Sequence, residues 1–178
     1  MTVGRCASRG LAGMALIVTA GWAVLTGLLP AEVRAQGRSP EARAIARAIA
    51  LLPSTMDVPV VPIDPELSAE PGALRGLDAF IVREGDGRMR RVIYVNARAD
   101  IVRRAVEGSR LFLAVLASVL HHEHQHLQGR DEPSARRAER LVFEALMARG
   151  DVDLREGTRY LRALERQPLA VHASGTQP

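Results

Sequence analysis

The stretch SRLFLAVLASVLHHEHQHLQGRDEP, residues 109–133, decides how the chain folds. Positions 111–120 are apolar on nearly every side, so a helix here has no face to give to water and must run through the core. Ser109 is a good N-cap and Gly129 a natural stop, which predicts a helix from 109 to about 127. Four of the chain's five histidines follow the apolar run directly. Asp131 then caps a second helix, with Pro133 in its first turn, that should run to about Arg149 and stop at Gly150. The break at 128–131 is short, so the two helices are expected to be antiparallel neighbours.

Upstream, Ala79–Arg83 and Arg91–Val95 are rich in β-branched and aromatic residues. The turn-forming run EGDGRMR separates them, which predicts a β-hairpin. Ser39-Pro40-Glu41 is a helix start, and Ile45, Ile49 and Leu52 continue it at helical spacing up to Pro53. Five prolines between 53 and 76 predict an irregular, extended connection, with Val60, Val61 and Ile63 packing it down. Asp100 opens a further helical stretch, and a last helix is expected over roughly 153–166. The fold class expected is α+β, mostly helical, with a β-hairpin or small antiparallel sheet packed on the central helix.

The 178 residues suit one domain, and 47% hydrophobic content with only 3% aromatics implies a Leu/Val/Ile/Ala core. The chain has no lysine, so all 24 basic residues are arginines, an association with GC-rich bacterial coding. The net charge is +4, of which residues 1–35 supply +2 (Arg5, Arg9 and Arg34 against Glu32). No basic run is interleaved with aromatics, which argues against nucleic-acid binding. Arg5 and Arg9 precede an apolar run over 11–29, then Pro30, then Val33-Arg34-Ala35. This pattern predicts a signal peptide over 1–35 and an exported domain over 36–168, periplasmic or secreted, with a loose tail over 169–178. The alternative is an uncleaved membrane anchor at 11–29. The single cysteine, Cys6, lies in that segment, so the mature chain would have neither disulfides nor thiolate ligands.

Among the clustered histidines, only His122 and His126 stand four apart, the spacing that stacks two side chains on one helix face. Glu123 sits about 100° round from His122. His122-Glu123-x-x-His126 is therefore a candidate metal site: two imidazoles to bind zinc and a carboxylate to take a proton from water. A solvated histidine-rich tract is the bland alternative, but this motif sits at the end of a buried helix. The third ligand should come from the following helix. Glu132 is favoured because the short turn brings it opposite the metal. Glu139 shares its inward stripe with Ala135, Val142 and Leu146 and is the alternative. The carboxylate that does not ligate would orient a ligand histidine from behind. His121 and His124 point off the chelating face and are expected to be solvated or supporting. Glu144 is expected to be solvated, Tyr94 and Tyr160 to pack, and His172 to be idle in the tail.

His122-Glu123-x-x-His126 followed by Glu132-x-x-Ala135 resembles the gluzincin branch of HExxH zinc metallopeptidases. The resemblance covers 109–149, and the hairpin before it is similar to the zincin plan, in which an edge strand holds the substrate backbone. It implies a zincin-like domain that hydrolyses peptide bonds of a peptide or protein substrate, with Zn²⁺ on His122, His126 and Glu132 and with Glu123 as general base. The alternative is a non-proteolytic zinc-binding or interaction domain on the same scaffold. An open cleft and edge strand beside His122 would favour the peptidase, and a closed site the binding domain.

Overall fold

The computed structural model describes residues 39–68, 71–84 and 87–165. The expected signal segment, the loose tail and His172 lie outside them. The order is α1 (Pro40–Leu51), β1 (Val60–Ile63), a 3₁₀ turn (Pro65–Leu67), α2 (Pro71–Leu74), β2 (Ala79–Arg83), β3 (Met89–Asn96), α3 (Asp100–Val106), α4 (Arg110–Leu127), α5 (Glu132–Ala148) and α6 (Leu154–Glu165). The fold is α+β and mostly helical. Among the described residues no helix is long and apolar enough to cross a membrane.

Helix α4 is the centre of the molecule, and every residue from Ala114 to Leu120 is buried. Its apolar circumference is shared among α1, α3, α5 and the inner face of the sheet, and these elements form one continuous core. Ser109 caps α4 by accepting from the Phe112 amide. Gly129, at φ +79°, ends the helix in the left-handed conformation that a side chain would resist. Asp131 then caps α5 through the Ser134 amide, with Pro133 in the first turn. The chain thus reverses within four residues and lays α5 back along α4. Ala135, Val142, Phe143 and Leu146 form the buried stripe of α5.

The sheet is mixed rather than wholly antiparallel, in the order β1-β3-β2. Strands β2 and β3 form the expected antiparallel pair, with Phe80 opposite Tyr94 and a register irregularity between Ile81 and Arg83. Strand β1 joins β3 in parallel, Val60 opposite Ile93 and Ile63 opposite Asn96. Strand β1, the 3₁₀ turn and α2 all fall within 53–76, where the sequence predicts an irregular connection. The proline density misled because a missing N–H is tolerated in an edge strand: Pro62 lies within β1, whose β-branched Val60, Val61 and Ile63 still favour extension. Leu74, Leu77, Phe80 and Tyr94 make a second, smaller core on the outer face of the sheet.

Candidate metal centre

The last two turns of α4 carry the histidines, and the first two turns of α5 face them. His122 Nε2 and His126 Nε2 lie 3.1 Å apart. Glu132 Oε2 is 3.1 Å from His126 Nε2 and 3.6 Å from His122 Nε2. His122, His126 and Glu132 are thus three donors converging on one point, a group that can hold a metal ion. The far nitrogens are committed elsewhere. His122 Nδ1 is 2.9 Å from Glu139 Oε2, and His126 Nδ1 is 3.0 Å from the Arg130 carbonyl oxygen. A carboxylate and a carbonyl only accept, so both Nδ1 atoms carry the hydrogen and both Nε2 atoms point to the shared space.

Glu139 therefore stands behind His122, and Glu132 stands with the two imidazoles. The second oxygen of Glu132, Oε1, accepts from Arg136 Nε at 2.5 Å. Glu123, on the motif helix, has a buried Oε2 with no partner among the described residues.

The electrostatics follow from the number of carboxylates. Burial works against a charged His122, but Glu132 and Glu139 outweigh it and push its pKa up to about 10. His126 is raised chiefly by its hydrogen bond to Glu132. Burial alone would raise Glu132, yet the hydrogen bonds from His122, His126 and Arg136 hold it well below the usual carboxylate range. Burial pushes Glu123 up to about 7, against the pull of the two histidines. The site prefers a net positive charge among its imidazoles, which a proton supplies in the free protein and a metal ion would supply when bound.

Access is limited. His122 and Glu123 are only 2% and 1% exposed, whereas the Glu132 side chain is 34% exposed at the mouth of the α4–α5 turn. Two surface concavities, one along α6 and one between α1 and Val106, are not lined by any of these residues.

The remaining singled-out residues divide. His124 is buried rather than solvated: its Nε2 is 3.0 Å from Asp57 Oδ1, and Arg91 holds the other oxygen of Asp57 at 2.9 Å. Asp57 was not foreseen, because nothing in its local sequence marks it as a partner for a residue 67 positions away. His121 is half-buried, and burial lowers its pKa. Tyr94 stacks on Phe80 with ring centroids 5.5 Å apart, and Tyr160 packs on Phe143 at 5.1 Å. Glu144 pairs with Arg140 at 2.7 Å. Asp78, immediately before β2, was also not foreseen: burial, then the charges of Glu139 and Asp100, push it up to about 6. No protein-family model, curated protein or solved structure matches the chain.

Proposed function

We propose that this chain is a zinc-dependent metallopeptidase, exported when its N-terminal segment acts as a signal. One observation carries the reading: His122 Nε2, His126 Nε2 and Glu132 Oε2 are mutually 3.1, 3.1 and 3.6 Å apart. Bonds of about 2.0–2.1 Å in a tetrahedron demand ligand separations of roughly 3.3 Å, so the three atoms suit zinc at three corners with a fourth corner free. Two imidazoles and a carboxylate are also the donor set that leaves zinc Lewis-acidic. Bound there, zinc would polarise a substrate carbonyl and make a water acidic at neutral pH.

The protein's own residues do the rest. Glu123 receives the proton on its Oε2, which has no partner among the described residues, and passes it to the leaving amine. A carboxyl pushed up to about 7 is matched to that work, since it can hold and release a proton near neutrality. Glu139 holds the His122 ring by its Nδ1–H, and the Arg130 carbonyl does the same for His126. Strand β2 is an edge of the sheet and packs against α4, the helix that carries the histidines, so an extended peptide could pair with its outer edge.

A second reading has its own support. The near-complete burial of His122 and Glu123 favours a zinc-binding domain without proteolysis. Glu123→Gln separates the two. Under the peptidase reading the variant keeps one zinc per chain and its fold, and loses hydrolysis of casein or of an extended-peptide library by about 10²- to 10⁴-fold. His122→Ala loses both zinc and activity. A zinc-loaded wild type that cleaves nothing in that library, together with a silent Glu123→Gln, supports the binding domain instead.

A further inference from the structure

We propose that Arg136 is a positioning residue that restricts Glu132 to one ligating oxygen and so keeps a side of the metal open. The inference rests on the metal-centre reading above. The two oxygens of Glu132 have different neighbours. Oε2 faces both imidazoles, 3.1 Å from His126 Nε2 and 3.6 Å from His122 Nε2, while Oε1 accepts from Arg136 Nε at 2.5 Å. Both residues lie on α5, one turn apart, so the helix itself fixes the pairing.

Stability gives a weak reason for this contact. The Arg136 side chain is 44% exposed, and exposed pairs of this kind contribute little. Its position gives a better one. A carboxylate can bind a metal through one oxygen or through both. A charge-assisted hydrogen bond is stronger than a neutral one, so a guanidinium on Oε1 makes the turn toward two-oxygen binding costly. Two-oxygen binding would add a donor beside the corner left by His122, His126 and Glu132 Oε2, crowding that corner and raising the coordination number from four to five. That corner is where a water would sit for Glu123, whose buried Oε2 has no partner among the described residues, to act on it. Arg136 thus does not touch the reacting atoms; it acts through Glu132.

Cobalt(II) in place of zinc tests this in the full chain, because four-coordinate cobalt absorbs visible light much more strongly than five- or six-coordinate cobalt. The wild type should take up one cobalt and show the intense band. Arg136→Ala should still take up one cobalt but lose the band several-fold. Arg136→Lys, which keeps a cationic N–H donor group at the same helical spacing, should recover most of it. An Arg136→Ala band equal to wild type overturns the proposal. So does loss of cobalt binding in Arg136→Ala, or a Lys variant no better than Ala. The peptidase reading fails separately: a wild type that cleaves no peptide, with the band falling in Arg136→Ala, leaves the role of Arg136 standing. Active wild type with an unchanged Arg136→Ala band does the reverse.

Discussion

Replacing Asp78 by asparagine should stabilise the protein, and by an amount that grows with pH. Asp78 lies between the short helix α2 and strand β2, mostly out of water and within electrostatic range of Glu139 and Asp100. Burial first, and those two carboxylates second, push its pKa from 3.8 up to about 6. The folded state therefore holds the Asp78 proton more tightly than the unfolded chain does. Stability tied to this group is lost as pH rises through the interval from about 4 to about 6, the opposite of an ion-paired aspartate. At about 1.4 kcal/mol per pKa unit, the charged carboxyl costs the fold about 3 kcal/mol above that window. An asparagine cannot ionise and escapes this penalty. Urea unfolding at pH 7.5 should give Asp78→Asn an advantage of about 3 kcal/mol, shrinking to about 1 kcal/mol at pH 4.5. Equal stability at both pH values, or a variant weaker than wild type at pH 7.5, would refute the reasoning, because it would mean Asp78 is ionised and satisfied in the fold.

The metal centre gives a pH effect of the other sign. His122, raised to about 10, must lose a proton to ligate, so zinc affinity measured by chelator competition should rise about tenfold per pH unit near neutrality, and zinc uptake that releases no proton would contradict this. Glu132→Gln should lower zinc affinity far more than Glu139→Gln, whose loss from behind His122 should cost about 10- to 100-fold; equilibrium dialysis reads both. Gly157→Ala should destabilise by about 1 kcal/mol, since the new methyl would lie 2.1 Å from Met147 Sδ and the repacking cost exceeds the gain in helix propensity; adding Met147→Ala should cancel most of the loss in a double-mutant cycle. Asp57→Ala should lower the melting temperature by leaving buried His124 without its acceptor, while Asp57→Asn, which keeps an acceptor oxygen, should stay near wild type.

What was legible in the sequence was local. Ser39, Ser109, Asp131 and Gly129 announce their helix ends because capping needs particular atoms at particular places, and the structure uses each of them. The apolar circumference of 111–120 announces a buried helix for the same reason. The placement of Glu132 needed only one further step, since a four-residue reversal leaves two helices few ways to pack. Strand β1 was hidden because its partner, β3, begins 26 residues after β1 ends and its own Pro62 speaks against extension. Asp57 and Asp78 were hidden more deeply. Asp57 acquires its role from His124, 67 positions away, and Asp78 from the burial that the tertiary packing imposes on it. Local pattern carries no trace of such a meeting.

The cluster around α4 and α5 is best understood through its charge. Glu123 is fully buried, Glu132 and Glu139 are partly so, and all three surround two imidazoles whose Nε2 atoms face each other at 3.1 Å. Both Nδ1 positions already carry hydrogens. If both Nε2 atoms were also protonated, two cationic rings would meet N–H to N–H, which is repulsive. If neither were, two lone pairs and a carboxylate oxygen would converge with nothing between them. A single proton relieves one of these contacts and leaves the third donor unsatisfied. A divalent ion relieves all three at once and balances more of the buried negative charge. The same excess of carboxylates that raises the histidines toward protonation is therefore what makes the space between them a place for a metal.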